Sequence, residues 1–499
     1  MPEKPWYHEA VFFQLNVRAY VDSDGDGNGD FRGAITKLDY IRSLGVDCLW
    51  VQPMYMSPWR DGGYDIADYI NIHPDFGTID DFHDFLDAAH ERGLRVVIDL
   101  VMNHCSDQHP WFQAARALPN SLYRDYFVWS DTPHKYEGAR IIFLDVESSN
   151  WTYDEIAGQY FWHRFYSHQP DLNYDNPAVH EEMFRIVRFW LNMGIDGFRA
   201  DAVPYLYERE GTNCENLPET HAFLKKLRAM MDKEYPGRVL IAEANQWPHD
   251  LLPYFGDGDE FQVCFHFPIM PRLYMALKAA DKTPIINILA DTPPIPAGTQ
   301  WMTFLRNHDE LTLEMVTPEE RQWMWANYAA EPRARLNLGI RRRLLPLLEG
   351  DKRRWLALNA MFLSLLGTPI LYYGDEIGMG DNIWLDDRDG VRTPMQWADA
   401  PNAGFSTAGK TYLPVIDQAP YDYRHVNVAA QENDPDSYLA WMRLLVAARQ
   451  SQPSLRSGER EWVETGDVAV LAYWRRGVGG PVLCVFNLSD DPRPAGIVP

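Results

Sequence analysis

The stretch Ile195-Asp196-Gly197-Phe198-Arg199-Ala200-Asp201 is short, largely apolar and ends in charged side chains. This pattern predicts a buried β-strand. Because strand side chains alternate with a period of two, Arg199 and Asp201 should project from the same face. An arginine in that position would hold the Asp201 carboxylate ionised and oriented. The alternative is that Asp201 caps a helix or anchors a loop, which is the commoner role of an aspartate at a strand end.

Strand-like and helix-like patterns alternate along the chain on both sides of this stretch. Eight strands are predicted, at residues 11–17, 46–52, 94–101, 195–200, 238–243, 261–265, 300–305 and 369–373. The clearest helices are predicted at 32–44, 178–193, 219–235 and 437–450, with a further helix between Thr78 and Gly93. Helices between successive strands indicate a parallel sheet, and eight is the number of strands that closes into a barrel. No GxGxxG or GxxxxGK(S/T) turn favours a doubly wound sheet, so the predicted fold class is α/β, a (β/α)8 TIM barrel.

Three segments interrupt or follow this alternation. Residues 107–176, after the third strand, are rich in Trp, Tyr, Asp, Pro and His and lack a helical period, which is typical of an inserted domain. Residues 317–356, between the seventh and eighth strands, are charged and are predicted to form a helical subdomain. Residues 454–499 return to strand alternation and predict a C-terminal, β-sandwich-like domain. The barrel itself then comprises residues 1–106 and 177–453.

The charge and the cysteine content exclude several classes of partner and compartment. The chain has 46 Lys and Arg against 71 Asp and Glu, a net charge of −25, which argues against nucleic acid or an anionic membrane as a partner. Its 5 cysteines are scattered without a CxxC motif, so neither a disulfide framework nor a zinc cluster is predicted. The N-terminus lacks a signal-peptide pattern, and no run of 18 apolar residues occurs. We expect a soluble, cytoplasmic protein.

A glycine-rich loop near the N-terminus carries an oxygen-bearing side chain at every second position. These residues are Asp22, Asp24, Asp26, Asn28 and Asp30. Hard oxygen ligands that alternate with turn-forming glycines suit Ca²⁺ or Mg²⁺. The loop begins like an EF-hand, but its twelfth position is Gly33 rather than Glu, and no helix precedes it. The alternative is a polar turn in which an aspartate caps the next helix.

Charged side chains follow four of the predicted strands. They are Asp99, Asn103 and His104 after the third, Arg199 and Asp201 after the fourth, Glu243 after the fifth, and Asn307, His308, Asp309 and Glu310 after the seventh. In a parallel barrel these strand ends share one face, where catalytic residues lie. The set is typical of a retaining glycosidase, in which one carboxylate attacks the anomeric carbon and a second, about 5–5.5 Å away, acts as acid and then base. Burial and a neighbouring like charge would keep the acid protonated near neutral pH.

Four of these segments resemble the signature regions of the α-amylase family, in the family's order. They are Asp99–His104, Gly197–Asp201, Ala242–Ala244 and Arg306–Asp309. The resemblance runs from Trp6 to about Pro453 and implies the family's barrel with its inserted domain B after strand three. It implies that Asp201 is the nucleophile, Glu243 the acid/base and Asp309 the transition-state stabiliser. The residues implied around the first sugar are Arg199, His104 and His308.

Longer stretches are similar to those family members that interconvert maltose and trehalose: Tyr205–Phe223, Leu305–Val316, Tyr372–Trp384 and Asp389–Trp397. The resemblance implies transfer of a glucosyl group from maltose to Asp201. The freed glucose then stays enclosed and attacks through its anomeric hydroxyl, with hydrolysis as a side reaction. An α-glucosidase or a sucrose isomerase shares the four signature regions and stays open as the alternative. A non-catalytic transporter partner is disfavoured, because all three carboxylates are present and no membrane span is predicted.

The resemblance also implies further contacts with the substrate. Asp61 and Arg392 match an acid–base pair that closes the far side of the first sugar site, with Tyr64 stacking on that sugar; the alternative for the pair is a surface salt bridge. The residues implied around the second glucose are Asn245, Gln246 and Glu310. From charge and placement alone, Arg140 in the inserted domain is a candidate gate that would close on Glu310 or Glu314.

A calcium site between the inserted domain and the barrel is implied at Asn103, Asp171, Tyr205, Leu206 and Glu208, with Tyr205 and Leu206 contributing main-chain carbonyls. No organic cofactor is expected. The expected partner is a small disaccharide, and both a monomer and a homo-oligomer stay open.

The sequence departs from the family pattern in two places. Cys105 follows His104 where the family usually has threonine, and we expect little effect from this small thiol. The terminal β domain ends at Pro499, several strands short of the family's usual length, so we expect it to be truncated or degenerate.

Overall fold

The computed structural model describes residues 4–496. Its centre is a closed barrel of eight parallel strands in chain order: Phe12–Leu15, Cys48–Val51, Arg95–Val101, Gly197–Asp201, Val239–Ala242, Val263–Phe265, Gln300–Phe304 and Thr368–Tyr372. Pairing of Phe12 with Ile370 joins the first strand to the eighth and closes the sheet. The strands are buried almost throughout, since helices cover the outside and side chains fill the interior. The predicted TIM barrel is therefore confirmed.

Helices connect the strands on the outside of the barrel. They are Phe31–Ile35, Leu38–Ser43, Ile79–Glu91, Pro177–Met193, Pro218–Glu234, Pro248–Leu251, Ile269–Ala279, Thr283–Asp291, Lys352–Ser364 and Tyr438–Ser451. Thr78 and Asp81 form a capping box at the start of the third of these helices, as local sequence chemistry dictates. The helix predicted at 32–44 is two helices, because the backbone of Lys37 leaves the helical region at φ −112° and ψ 3°.

The inserted segment between the third and fourth strands is built on aromatic packing. It contains the helix Pro110–Ala117 and an antiparallel sheet of Trp129–Ser130, Trp151–Asp154 and Gln159–Trp162. Phe112 of the helix packs edge-on against Phe161 of the sheet, with 5.1 Å between ring centroids. A β-bridge between His104 and Asp171 ties the segment to the end of the third barrel strand. The segment is therefore attached at the carboxyl ends of the barrel strands.

The segment predicted to be helical at 317–356 differs from that expectation. Within it, α-helices occupy only Pro318–Tyr328 and Leu344–Leu347, a short 3-10 helix occupies Pro332–Ala334, and the helix that begins at Lys352 already belongs to the barrel. Between them, Arg335–Leu336 and Gly339–Ile340 form a hairpin that pairs with Leu311–Thr312 in a small antiparallel sheet. Strands of two residues are too short to produce a periodic pattern, which is why the sequence suggested only helix.

The C-terminal part of the described chain is a helix, Pro453–Ser457, followed by one antiparallel sheet of Glu459–Trp462, Val470–Arg476 and Val482–Asn487. Within residues 454–496 this single sheet stands where a β-sandwich-like domain was predicted. The predicted limits at residues 1 and 499 lie outside the described residues. None of the helices between residues 4 and 496 is long and apolar enough to cross a membrane.

Candidate active site

The floor of the candidate site is an arginine bound to three carboxylates. Arg199 Nη1 donates to Asp201 Oδ1 at 2.7 Å and to Asp99 Oδ1 at 2.6 Å, while Nη2 contacts the carboxylate of Glu243. The strand period explains the first contact, since Arg199 and Asp201 share one face. Register explains the second, because Asp99 lies beside Arg199 on the neighbouring strand. Only 1% of the Arg199 side chain is exposed, so all three contacts are shielded from water.

Burial and neighbouring charges give Asp201 and Glu243 different protonation states. Burial raises the pKa of Asp201 to about 6, although Arg199 opposes that rise. Burial raises the pKa of Glu243 to about 8, with Arg199 opposing it and the charge of Asp201 adding to it. Near neutral pH, Asp201 is therefore ionised while Glu243 carries a proton. Such a pair can supply a nucleophile and a general acid side by side.

The third carboxylate, Asp309, follows the seventh strand and is held by cations from the loop after the eighth. Arg388 Nη1 lies 2.8 Å and Arg392 Nη2 3.1 Å from Asp309 Oδ1, and His308 Nε2 lies 3.3 Å from Oδ2. Burial works against the charged form, but these neighbours hold the pKa of Asp309 well below its usual range. Asp309 thus presents a permanent negative charge to the cavity.

Gln14 and Tyr64 orient the ring of His308. Gln14 of the first strand lies 2.7 Å from His308 Nδ1, and because an amide group donates there, Nε2 carries the hydrogen that faces Asp309. Burial lowers the pKa of His308 well below its usual value, so the ring is neutral. Tyr64 stacks on the ring with centroids 5.2 Å apart, and its hydroxyl lies 3.3 Å from Asp99 Oδ2.

The predicted pairing of Asp61 with Arg392 is wrong. Asp61 pairs with Arg388 instead, and the two side chains are each only 7% exposed. Arg392 donates through Nε to the carbonyl of His308 at 2.8 Å and through Nη2 to Asp309. The alternative of a surface salt bridge is also excluded by this burial.

Close packing explains why Arg392 does not pair with Asp61. A Cβ on Gly62 would lie 2.3 Å from Arg392 Nη1, so the guanidinium runs tightly against the backbone there and continues toward the seventh strand. Gln169 Nε2 of the inserted segment donates to the second oxygen of Asp61 at 2.8 Å. Sequence reasoning missed Arg388; the signal was a second arginine four residues before Arg392 in the same loop.

His104 faces the same cavity as a neutral ring. Its Nε2 is buried without a hydrogen-bond partner in the described part of the chain, and burial lowers its pKa to about 3. Phe165 packs 5.2 Å from the ring. A buried, unpartnered ring nitrogen at a cavity wall is suited to a hydroxyl group of a bound ligand.

These side chains surround one cavity at the carboxyl ends of the barrel strands. Nine predicted catalytic and substrate residues line it: Asp61, Tyr64, His104, Asp201, Glu243, Asn245, His308, Asp309 and Glu310. Apolar side chains of the inserted segment, Ile142, Phe143 and Phe165, line the opposite wall and were missed by the sequence reasoning. Gln246 is not brought to the cavity, because its Nε2 donates to Glu215 Oε2 at 3.1 Å.

Arg140 of the inserted segment does contact the opposite side of the cavity. Its Nη1 lies 2.9 Å from Glu314 Oε2 and its Nε 2.8 Å from Glu215 Oε1, but it makes no contact with Glu310 among the described residues. Its Nη2 also reaches the hydroxyl of Tyr205 at 3.2 Å. The expected Glu314 contact is thus present, whereas the role of Glu215 was not predicted.

The amino-acid sequence matches the model of the α-amylase catalytic domain over residues 14–458. The chain belongs to the α-amylase family. The family's four signature regions therefore meet at the carboxyl ends of the barrel strands in this chain.

Relatives within the family are similar over nearly the whole chain. The trehalose synthase/amylase TreS of Mycolicibacterium smegmatis is 58% identical over 98% of this chain and 85% of its own length. The trehalose synthase of Pimelobacter is 55% identical over 99% of this chain and 88% of its own length. The crystal structure of the trehalulose synthase MutB of Pseudomonas mesoacidophila superposes with a TM-score of 0.80 at 29% identity, over 99% of this chain and 92% of that one.

Three residues of the expected interdomain calcium site each carry a buried side-chain oxygen without a hydrogen-bond partner among residues 4–496. These oxygens are Asn103 Oδ1, Asp171 Oδ2 and Glu208 Oε1. Burial raises the pKa of Asp171 to about 8 and that of Glu208 well above its usual value. Buried oxygens without donors are costly unless a cation binds them, so this donor set fits Ca²⁺. The carbonyl contributions of Tyr205 and Leu206 stay a prediction.

The N-terminal loop gathers only part of its predicted ligand set. Carboxylate oxygens of Asp22, Asp24 and Asp30 lie within 4.8 Å of one another. Asp26 is exposed, and Asn28 Oδ1 accepts a hydrogen bond from Arg18 Nε at 2.9 Å instead of facing the cluster. Asp30 also caps the following helix through the Gly33 N–H, as the alternative interpretation held. Three of the five predicted ligands thus lie close together, and two do not; metal binding there stays a prediction.

Proposed function

We propose that the protein interconverts maltose and trehalose by intramolecular transfer of a glucosyl group. The observation that carries this proposal is the pairing of an ionised Asp201 with a protonated Glu243 on one buried arginine, at the floor of the cavity. Sequence identity of 55–58% over almost the full chain to proteins named trehalose synthase supports the same reaction.

The chemistry proceeds by double displacement. Asp201 attacks the anomeric carbon of the non-reducing glucose of maltose, forming a C1–O bond as the glycosidic bond breaks. Glu243 gives its proton to the departing oxygen, so free glucose and a glucosyl ester of Asp201 result. Glucose then turns within the cavity, Glu243 takes the proton of its anomeric hydroxyl, and that oxygen displaces Asp201. Two inversions at C1 retain the anomeric configuration in trehalose.

Asp309 and its cations assist this reaction electrostatically. The transition state at C1 resembles an oxocarbenium ion, and a fixed negative charge at Asp309 stabilises positive charge that develops nearby. Arg388 joins Asp309 to Asp61 and so closes the end of the cavity beyond the first sugar. This closure restricts the site to a terminal, non-reducing glucose.

The wall formed by Ile142, Phe143 and Phe165 excludes water from the glucosyl ester. Water that entered would hydrolyse the ester to glucose, so exclusion decides between transfer and hydrolysis. The contact of Arg140 with Glu314 fastens this wall to the barrel.

Calcium and a cytoplasmic location are further parts of the proposal. Ca²⁺ held by Asn103, Asp171 and Glu208 would neutralise buried carboxylates and brace the inserted domain, while Ca²⁺ or Mg²⁺ would bind at Asp22, Asp24 and Asp30. All five cysteines are buried free thiols, which suits a reducing compartment. No step of the sugar chemistry passes through a metal.

Incubation with maltose, followed by chromatography of the products, tests the function. We expect trehalose as the main product with a minor fraction of glucose, and maltose when trehalose is supplied. Asp201→Asn should abolish both products, since no ester can form. Glucose alone would contradict the transferase activity, and absence of any product would contradict the enzyme assignment.

A further inference from the structure

The hairpin of Arg335–Leu336 and Gly339–Ile340 is attached to the loop that carries the acidic side chains after the seventh strand. Its inner strand pairs antiparallel with Leu311–Thr312, which follows Glu310 directly. Thr312 in turn accepts a hydrogen bond from Asn245 Nδ2 at 3.1 Å. The turn of the hairpin is thus fixed at the rim of the cavity.

Glycine at position 339 lets the hairpin approach Glu310 closely. A Cβ there would lie 2.5 Å from Glu310 Cγ and 2.7 Å from the carbonyl oxygen of Leu311. The turn residue Asn337, at a left-handed φ of 49°, donates from Nδ2 to Glu310 Oε1 at 3.3 Å. Asparagine tolerates this backbone conformation better than most residues. The turn therefore touches a side chain that lines the cavity.

The other side of Asn337 contacts the inserted segment. Its main-chain N–H donates to Asp145 Oδ2 at 2.8 Å, and its Oδ1 accepts from the Asp145 N–H at 3.4 Å. Asp145 comes two residues after Phe143 of the cavity wall. Asn337 thus joins the inserted segment to Glu310, and we call this set, Asp145, Asn337 and Glu310, the Asn337 clasp.

We propose that Asn337 is a positioning residue that holds the wall closed and fixes Glu310 at the end of the cavity where free glucose turns. The wall segment that contains Ile142 and Phe143 is then fastened at both ends, by Arg140 on Glu314 and by Asp145 on Asn337. The clasp accordingly determines what fraction of the glucosyl groups is transferred to glucose rather than to water. This inference rests on the proposed function.

Two substitutions open the clasp in different ways. Asp145→Ala removes the acceptor for the Asn337 N–H. Asn337→Gly keeps the left-handed backbone and removes both side-chain hydrogen bonds. In each variant we expect the ratio of glucose to trehalose formed from maltose to rise about two- to fivefold, as for loss of one or two solvent-exposed or partly exposed hydrogen bonds. The two variants remove different hydrogen bonds of the clasp, so the double variant, which removes all three, should show a rise at least as large as the stronger single one.

Matched variants separate the clasp from a general loss of structure. Asp145→Asn keeps an acceptor oxygen and should restore most of the wild-type ratio. Glu155→Ala removes an exposed carboxylate of the same inserted segment and should leave the ratio unchanged. The rate at which Asp145→Ala cleaves an aryl α-glucoside should stay within about twofold of wild type, because Asp145 touches none of the three catalytic carboxylates.

An unchanged ratio in both variants would overturn the clasp, and so would a double variant with the wild-type ratio. A wild-type protein that forms no trehalose would overturn the proposed function instead. In that case the clasp is judged by the fraction of an aryl α-glucoside that is transferred to added glucose rather than to water, which should fall in both variants.

Discussion

At the scale of single residues, the chemistry of the site is set by the sharing of one positive charge. Arg199 binds Asp99, Asp201 and Glu243 in a place that water does not reach. One guanidinium cannot neutralise three carboxylates, so at least one of them keeps its proton near neutral pH. Glu243, with the higher pKa of the facing pair, is the one that does.

The pH dependence of the reaction should follow from this separation. Asp201 must be ionised to attack, so activity should be lost as the pH falls through about 6, the raised pKa of Asp201. Glu243 must be protonated to act as the acid, so activity should be lost as the pH rises through about 8, its own raised pKa. A profile of kcat/KM for maltose should therefore be bell-shaped. Glu243→Gln should remove the basic limb of the profile along with most of the activity. A wild-type profile that is flat from below about pH 6 to above about pH 8 would contradict the roles of Asp201 and Glu243.

Sequence reasoning located the carboxylates but not all of their partners. Asp201, Glu243 and Asp309 follow buried strands, so the barrel alone determines that they meet. Arg388 and Gln14 could not be found in this way. Arg388 depends on the path of an irregular loop, and Gln14 is a polar residue inside a strand, where a pattern of burial gives no reason to expect one.

At the scale of elements, barrel strands were predictable because each is a short apolar run between turns. The observed strand Arg95–Val101 lies within one residue of the predicted 94–101. Elements made by tertiary contact were not predictable. The hairpin around Asn337 forms because Gly339 fits against Glu310, which is a property of two distant segments together.

The contact between the inserted domain and the barrel should depend on calcium. Removal of Ca²⁺ with a chelator should lower the Tm, because the oxygens of Asp171 and Glu208 are then buried without a partner. A hundredfold excess of Ca²⁺ over its Kd would contribute about 2.7 kcal/mol to the free energy of unfolding. Calorimetry with and without Ca²⁺ measures the difference.

Two variants identify which loop is responsible. Asp171→Asn keeps the size of the side chain but removes a charged ligand, so its Tm should respond less to Ca²⁺. Asp22→Asn changes the N-terminal loop and should leave the interdomain response intact. Equal Tm values for the wild type with and without Ca²⁺ would contradict the calcium site.

At the scale of the whole molecule, the C-terminal sheet braces the barrel from behind. Tyr473 is fully buried, and its hydroxyl lies 2.7 Å from Ser364 Oγ, at the end of the helix that leads into the eighth strand. Arg475 of the same sheet strand donates to the carbonyl of Ser364. The sheet thus supports the closing strand of the barrel although it is far from the cavity.

Truncation of this contact should destabilise the protein without changing its chemistry. Tyr473→Ala should lower the free energy of unfolding by about 3–5 kcal/mol, the usual cost of removing a buried aromatic ring. Tyr153→Ala, at a tyrosine that is 52% exposed, is the matched control and should cost little. Denaturant titration measures both. A loss of kcat in folded Tyr473→Ala at low temperature would show that the sheet does more than brace the barrel.

The shared guanidinium at the floor also implies that the acid and base roles of Glu243 alternate without any movement of the protein. Burial raises the pKa of Glu243, and the negative charge of Asp201 raises it further. Once Asp201 is esterified by the sugar, that charge is gone, while Arg199 still favours a carboxylate at position 243. The pKa of Glu243 then falls at the moment when the freed glucose needs a proton acceptor. When the charge on Asp201 returns at the end of the cycle, the pKa of Glu243 rises again. Each half of the reaction therefore leaves Glu243 in the protonation state that the other half needs.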